Sequence, residues 1–168
     1  VTDKQNNSFV LRSYNPGDEN AICVLFEHVF GKPMGKTESL CHWRWEFLEN
    51  PTDGLFVKLA WDGDKLVGQY TASPVQMYAN GSNITAALSH DTMTDPQYSG
   101  LGIFRAAAEA LYRQQTDAGQ GFIYGFPNRN SIHGFIKYLE WQQIMPAPVH
   151  IRPVRLSKSI SRKIFHSA

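Results

Sequence analysis

The chain has 168 residues, the size of one domain, and its 42% hydrophobic and 12% aromatic content is enough to build a core. Its longest unbroken apolar run, Ala21 to Phe26, is six residues, against the roughly 20 of a spanning helix, so no membrane span is present. The net charge of +1 argues against a dedicated nucleic-acid binder, but it averages two unlike parts. Residues 1–149 hold 11 basic and 15 acidic side chains, a balance of −4. The last 19 residues carry Arg152, Arg155, Lys158, Arg162 and Lys163 and no acid.

In chain order, Ser8 to Tyr14 reads as a short strand. Asn15-Pro16-Gly17-Asp18 then signals a helix start, with Asn as cap and Pro at the first helical position. The helix that follows places Ile22, Leu25, Phe26 and Val29 on one face and ends by Gly31. A second helix, about Glu38 to Glu49, stops before Pro51 and carries Trp43, Trp45 and Phe47. Two residues apart, Trp43 and Trp45 cannot share a face, so one is expected in the core and the other exposed. Cys23 and Cys41 sit among apolar residues without the spacing of a disulfide framework or a zinc site. Both are expected to be buried structural thiols.

Strands come next. Leu55 to Trp61 ends in the turn Asp62-Gly63-Asp64, and Lys65 to Tyr78 meets Asn80-Gly81, the preferred pair for a two-residue type I′ hairpin. A return strand spans Ile84 to Thr94, and Pro74 requires a bulge or an unpaired edge position in the middle strand. A helix from Gly102 to Ala118, a buried strand over Phe122 to Phe126, a helix from Asn130 to Leu139 and a final strand near Trp141 to Arg152 complete the chain. The order is β-α-α-β-β-β-α-β-α-β. It predicts an α/β (α+β) fold with a mixed, mostly antiparallel sheet covered by helices on both faces.

The segment Asp95-Pro96-Gln97-Tyr98-Ser99-Gly100-Leu101-Gly102-Ile103-Phe104 joins a strand to a helix. Such a turn presents backbone N–H groups without intrahelical partners at the positive end of the helix dipole. Its glycines let an anion approach the backbone closely, although an ordinary tight turn has the same look. No Gly-Lys-Ser/Thr follows, which excludes a Walker loop.

With this loop in its place among the elements, residues 8–150 resemble the GNAT superfamily of acyl-CoA-dependent N-acetyltransferases. Tyr98 to Phe104 looks like the family's pyrophosphate loop after a strand end at Thr94-Asp95-Pro96. Asn128-Arg129-Asn130-Ser131 with Phe135 to Trp141 is similar to its Asn-x-x-Ala…Tyr-x-x-x-Gly-Phe segment. The sequence departs from the family at three points. Ser99 stands where Arg or Gln is usual, and Arg105 either restores that contact or points to solvent. Phe104 replaces a small residue, and its ring must be accommodated in the loop or turned into the core. Ile136 occupies the place of a Tyr that commonly protonates the leaving thiolate, and Tyr138 lies on another helix face.

The resemblance implies an acetyl-CoA-dependent N-acetyltransferase with no metal, in which an amine attacks the thioester directly. Thr92, Met93 and Thr94 would be the strand end that holds the pantetheine arm. Ser99, Gly100, Leu101, Gly102, Ile103, Phe104 and Arg105 would hold the pyrophosphate. Asn128 and Asn130 share a cofactor role, and either could instead cap the next helix, Asn130 more naturally. The base candidates are Asp91 and His90, of which alternation lets at most one face the site, with Glu46 as a third. Trp43 and Trp45 would lie at the acceptor wall, with packing as the plainer role. His42-Trp43-Arg44-Trp45 and Gly125-Phe126-Pro127-Asn128 also look like GNAT proteins of bacterial surface-polysaccharide gene clusters, which makes an amino sugar one acceptor. The alternative function is a non-catalytic GNAT-fold domain that binds acyl-CoA or serves as an interaction module of a longer protein.

No nucleic-acid partner and no membrane span are expected. In the tail, residues 151–168, Leu156, Ile160 and Ile164 recur every four residues, as in a basic amphipathic helix. It would dock on the acidic body, contact a second copy or a following domain, or touch an anionic surface. The chain opens on Val with no leader-like segment, which reads as a cytoplasmic protein, a fragment or a processed product.

Overall fold

The computed structural model describes residues 9–31 and 36–145, with the backbone alone for residues 36–39. The first strand, β1 (Val10–Ser13), carries Arg12, whose guanidinium forks onto Asp18 with N–O distances of 2.6 and 2.8 Å. Asp18 also accepts the Asn15 N–H at 2.7 Å. With its carboxylate closing this turn, α1 (Glu19–Phe30) begins one residue after Asp18 rather than at Asn15-Pro16. The α1 helix buries Ile22, Cys23 and Leu25 and ends at Gly31, whose φ of +62° suits a residue without Cβ.

The second helix, α2 (Lys36–Trp43), runs into a π-helical turn over Arg44–Leu48, closed by the Glu49 N–H on the Arg44 carbonyl at 3.0 Å. The wide turn puts Trp43 and Phe47 together in the core, ring centroids 5.3 Å apart, and leaves Trp45 63% exposed. The expected division of the two tryptophans is the observed one. Cys41 differs from expectation: it lies on the outer side of α2 and is exposed, and only Cys23 is buried.

The sheet has the order β1-β2-β3-β4-β5, with β2 (Phe56–Asp62), β3 (Lys65–Ala79) and β4 (Ser82–Thr94) antiparallel and β5 (Ile123–Gly125) parallel to β4. Pairing of β3 with β2 ends at Phe56↔Ala72, so Pro74 lies where one side of β3 is open, as its missing N–H demands. Both faces of the central strands are buried. Val57, Leu59, Leu66 and Met93 pack under α1 and α2. On the other face, Phe56, Tyr70, Ala72 and Ala87 pack under α3 (Ile103–Asp117) and α4 (Ile132–Leu139).

Two predicted strands differ from the structure. The segment Phe122 to Phe126 forms a strand only over its middle three residues, with Phe122 and Phe126 exposed, because β5 pairs along one side for three residues. Residues 141–145 are irregular rather than strand. Trp141 turns back onto Phe135, centroids 4.6 Å apart, and donates its indole N–H to the Tyr112 hydroxyl at 2.8 Å. The rest of that predicted strand and the basic tail lie outside the described residues. No helix among those described is long and apolar enough to cross a membrane.

Candidate active site

The site begins with a counting mismatch between β3 and β4. Gln69 pairs with Met93 and Thr71 with His90, so Tyr70 faces two residues, Asp91 and Thr92. This is a β-bulge, and Asp91 adopts φ +47° to form it. A left-handed conformation costs a non-glycine residue about 1–2 kcal/mol, least for Asn and Asp. The bulge breaks the alternation, so consecutive residues turn to the same side. His90 Nδ1 lies 3.2 Å from Glu46 Oε1 and 4.0 Å from Asp91 Oδ2. The expectation that at most one of His90 and Asp91 faces the site is thereby overturned. All three base candidates meet, because the π turn carries Glu46 over the bulge.

The imidazole of His90 is fixed on every side. It stacks on Phe47 with centroids 5.0 Å apart and planes 5° from parallel, and its Nε2 lies 2.7 Å from the Ser73 hydroxyl. Thr71 donates to the His90 carbonyl, and Gln69 Nε2 donates to the Asp91 carbonyl at 3.0 Å. Gln69, Thr71 and Ser73 escaped the sequence reading. Their signal is polar residues at every second position in a strand run whose burial is otherwise complete.

Burial, and then the negative charge of Glu46, push the Asp91 carboxyl above the usual carboxylate range. Burial also acts on Glu46. There the hydrogen bond and charge of His90, the charge of His42 and a hydrogen bond with Asp91 outweigh it and hold that carboxyl low. The two acids are thus split, the Asp91 carboxyl pushed up and the Glu46 carboxyl held down. Beside them a cavity of about 30 Å³ opens between α1 and α2, walled by Ile22, Phe26 and Trp43 and reached by Glu46, Gln69 and Asp91. Ligand atoms of Glu46, His90 and Asp91 lie within 4.8 Å of one another, a spread that could hold a metal ion. Hydrogen bonds to Glu46 and Ser73 already satisfy both imidazole nitrogens.

Past the bulge, β4 loses its neighbour. Parallel pairing ends at Ser89↔Gly125, leaving one edge of His90 to Thr94 without a β5 partner. Position 125 is tight, since a Cβ there would stand 3.0 Å from the Ser89 carbonyl oxygen and 3.3 Å from the Trp141 ring. The Met93 side chain is core, 3% exposed, so what it offers outward is backbone. Thr92 and Thr94 are half-buried.

The strand ends on Asp95, 1% exposed, which accepts from the Gln97 N–H at 2.9 Å and from Lys65 Nζ at 2.8 Å. Tyr98 is tied down as well, its hydroxyl donating to Asp62 at 2.6 Å. These anchors set Gly100 and Gly102 at φ +80° and +82° with open space before them. The first α3 bond runs from the Ala106 N–H to the Gly102 carbonyl, so the N–H groups of residues 102–105 have no backbone acceptor among the described residues. Leu101 is exposed, Ser99 is extended and exposed, and Ile103 is 2% exposed, its side chain in the core.

Phe104 turns into the core, 5.2 Å from Phe135 and 5.8 Å from Tyr70, which disposes of its bulk. Of the two roles open to Arg105, the structure has the solvent-side one, paired with Glu109 at 2.7 Å. Neither asparagine is the cap of α4, which is Ser131; the Asn128 carboxamide closes the turn before it by accepting the Asn130 and Ser131 N–H groups at 2.9 and 3.1 Å, and Asn130 is exposed. Ile136 and Tyr138 are both about half exposed on α4.

The loop and the open strand edge thus adjoin one another at the end of β4, and the cluster of His90, Asp91 and Glu46 lies at the bulge of the same strand. A family model for the acetyltransferase (GNAT) domain matches residues 10–141. No curated protein matches the sequence. Among solved structures, the fold is that of glucosamine-6-phosphate N-acetyltransferase from Arabidopsis thaliana (TM-score 0.68, 11% identity, 86% of this chain and 99% of that one). It is also that of AAC(6')-Iy solved with a CoA-S-monomethyl-acetylneamine bisubstrate analog (TM-score 0.69, 15% identity, 87% and 99%). A transcriptional regulator from Bacillus halodurans shares it too (TM-score 0.68, 14% identity, 86% and 100%). The chain therefore belongs to the GNAT acetyltransferase family.

Proposed function

We propose that the chain transfers an acetyl group from acetyl-CoA to the primary amine of a small molecule or amino sugar, by direct attack in a ternary complex. The observation that carries this reading is the convergence of Glu46, His90 and Asp91 at the β4 bulge, on the strand whose open end leads to the glycine loop. Acetyl-CoA supplies the activated thioester. Gly100 and Gly102, open in front and flanked by unpaired N–H groups, fit its pyrophosphate, and the free edge of Thr92 to Thr94 fits the amide-bearing arm. An amine arrives as an ammonium and is nucleophilic only after losing a proton. Asp91, with its raised pKa, receives that proton, while Glu46 stays ionised and, with Ser73 and Phe47, fixes the His90 ring. In this reading Asn128 shapes the α4 end of the cradle, and the exposed Trp45 flanks the acceptor entrance.

The test is calorimetry with acetyl-CoA followed by thiol release across a panel of amines and amino sugars. Binding with amine-dependent thiol release is the expected result. Binding with no release from any acceptor would make the chain a GNAT-fold acyl-CoA-binding module, a reading that the absence of a Tyr at 136 favours. No binding of any acyl-CoA would remove both.

A further inference from the structure

Resting on the acetyl-CoA reading, we propose that Ser89, Tyr70, Tyr112 and Trp141 form a clasp around the point where β4 and β5 part, and that these four are positioning residues for the arm of the acyl donor. The last pair of the two strands is Ser89↔Gly125, and one connected set of side chains holds both of its members. Ser89 donates to the Tyr70 hydroxyl at 3.2 Å, and that hydroxyl lies 2.8 Å from the hydroxyl of Tyr112. Tyr112 in turn accepts the Trp141 indole N–H at 2.8 Å. The Trp141 ring then returns to the strand pair, close enough that a Cβ on Gly125 would stand 3.3 Å from it. The circuit runs from β4 through β3 and α3 to the segment after α4, and closes on β5.

Its chemistry sets position more than it adds stability. Tyr70 is wholly buried, and a Phe there would fill nearly the same volume with no polar atom to satisfy. The three contacts use three of the four hydrogens that the set carries, so one buried hydrogen has no acceptor among the described residues. Such a network returns little net free energy. What the hydroxyls add to the rings is geometry, because a hydrogen bond fixes a distance to a few tenths of an ångström where apolar surfaces slide. Burial pushes the Tyr70 hydroxyl far above its ordinary pKa, so the circuit keeps its protons through the neutral range. The place it fixes is the start of the free β4 edge from His90 to Thr94, along which the amide-bearing arm is proposed to lie. A shift of about 1 Å there would carry the thioester away from Asp91.

The experiment measures two ligands on the full chain. Acetyl-CoA is followed by calorimetry, and 3′-phospho-ADP, the nucleotide end of coenzyme A with its pyrophosphate but no arm, by displacement of acetyl-CoA. Tyr70→Phe cuts the circuit in the middle, and Trp141→Phe cuts it at the far end. Each should weaken acetyl-CoA about tenfold while 3′-phospho-ADP stays within about twofold of its wild-type affinity. Leu111→Val loosens the same core without touching the circuit, and should lower Tm and leave the two affinities in their wild-type ratio. Partial unfolding would weaken both ligands alike, so it cannot mimic the divergence. Both ligands weakened alike, neither weakened, or the same divergence in Leu111→Val would each overturn the clasp and leave acetyl-CoA binding standing. No binding of acetyl-CoA to the wild type would overturn the cofactor reading and the clasp with it.

Discussion

Asp91 joins a backbone role to the chemical one proposed for it. Replacing it by Asn keeps a side chain that tolerates the left-handed conformation but cannot accept the proton. Turnover should fall about a hundredfold with acetyl-CoA affinity within twofold, read by steady-state kinetics and calorimetry. Glu46 raises the Asp91 pKa by its charge, so Glu46→Gln should move the acid limb of the pH–rate profile to lower pH. A limb that stays in place would remove Asp91 as its source. At the other end of the chain the fork between Arg12 and Asp18 bears on stability alone. The hydrogen bond and charge of Arg12, with the Asn15 N–H, hold the Asp18 carboxyl below its usual value against the effect of burial. A depressed carboxyl stabilises above its unfolded pKa and loses that contribution as pH falls through the folded one. Asp18→Asn should therefore cost about 2 kcal/mol at neutral pH. That cost should vanish as the solution becomes strongly acidic, a trend that thermal melts across pH would reveal.

The glycine loop works as a unit with the elements on either side. Gly68 in β3 faces the start of α3, and a Cβ there would stand 2.4 Å from Ile103 Cγ2. Gly68→Ala should destabilise by about 1–3 kcal/mol, because the helix that presents the free N–H groups must retreat. Calorimetry should show weaker acetyl-CoA binding alongside the lower Tm. Within the loop itself, charge and strain can be separated. Gly102→Ala imposes a side chain at φ +82° in open space, whereas Gly102→Glu adds a carboxylate where the pyrophosphate is proposed to lie. Binding should weaken modestly in the first and be lost in the second. Equal affinities in the two variants would place the anion elsewhere.

At the scale of the whole chain, the charge division suggests a domain over residues 8–150 and a separate basic tail. A chain ending at residue 150 should fold and bind acetyl-CoA within twofold of the full one, checked by circular dichroism and calorimetry. How far the sequence could be read follows from the same distinction between local and tertiary causes. The hairpin at Asn80-Gly81, α3 and the glycine loop were legible because turn chemistry and periodicity are local. The bulge at Asp91 was not. It arises from a register mismatch between Gln69↔Met93 and Thr71↔His90, and no single strand contains a register. The same blindness hid the partnership of His90 with Ser73, seventeen residues away. It also hid the irregular path of Trp141, whose place is set by Tyr112 and Phe135.

The left-handed turn at Asp91 has a consequence for how such a site can change. A glycine at 91 would relax the backbone and remove the proposed base, and a glutamate would keep the acid but strain the turn, so a single substitution there trades one property for the other. Glu46 is under no such double constraint, since its backbone is helical and not left-handed. A lineage departing from this chemistry would therefore find its open route through the helix, with the strand held to a narrow choice of residue by its own shape.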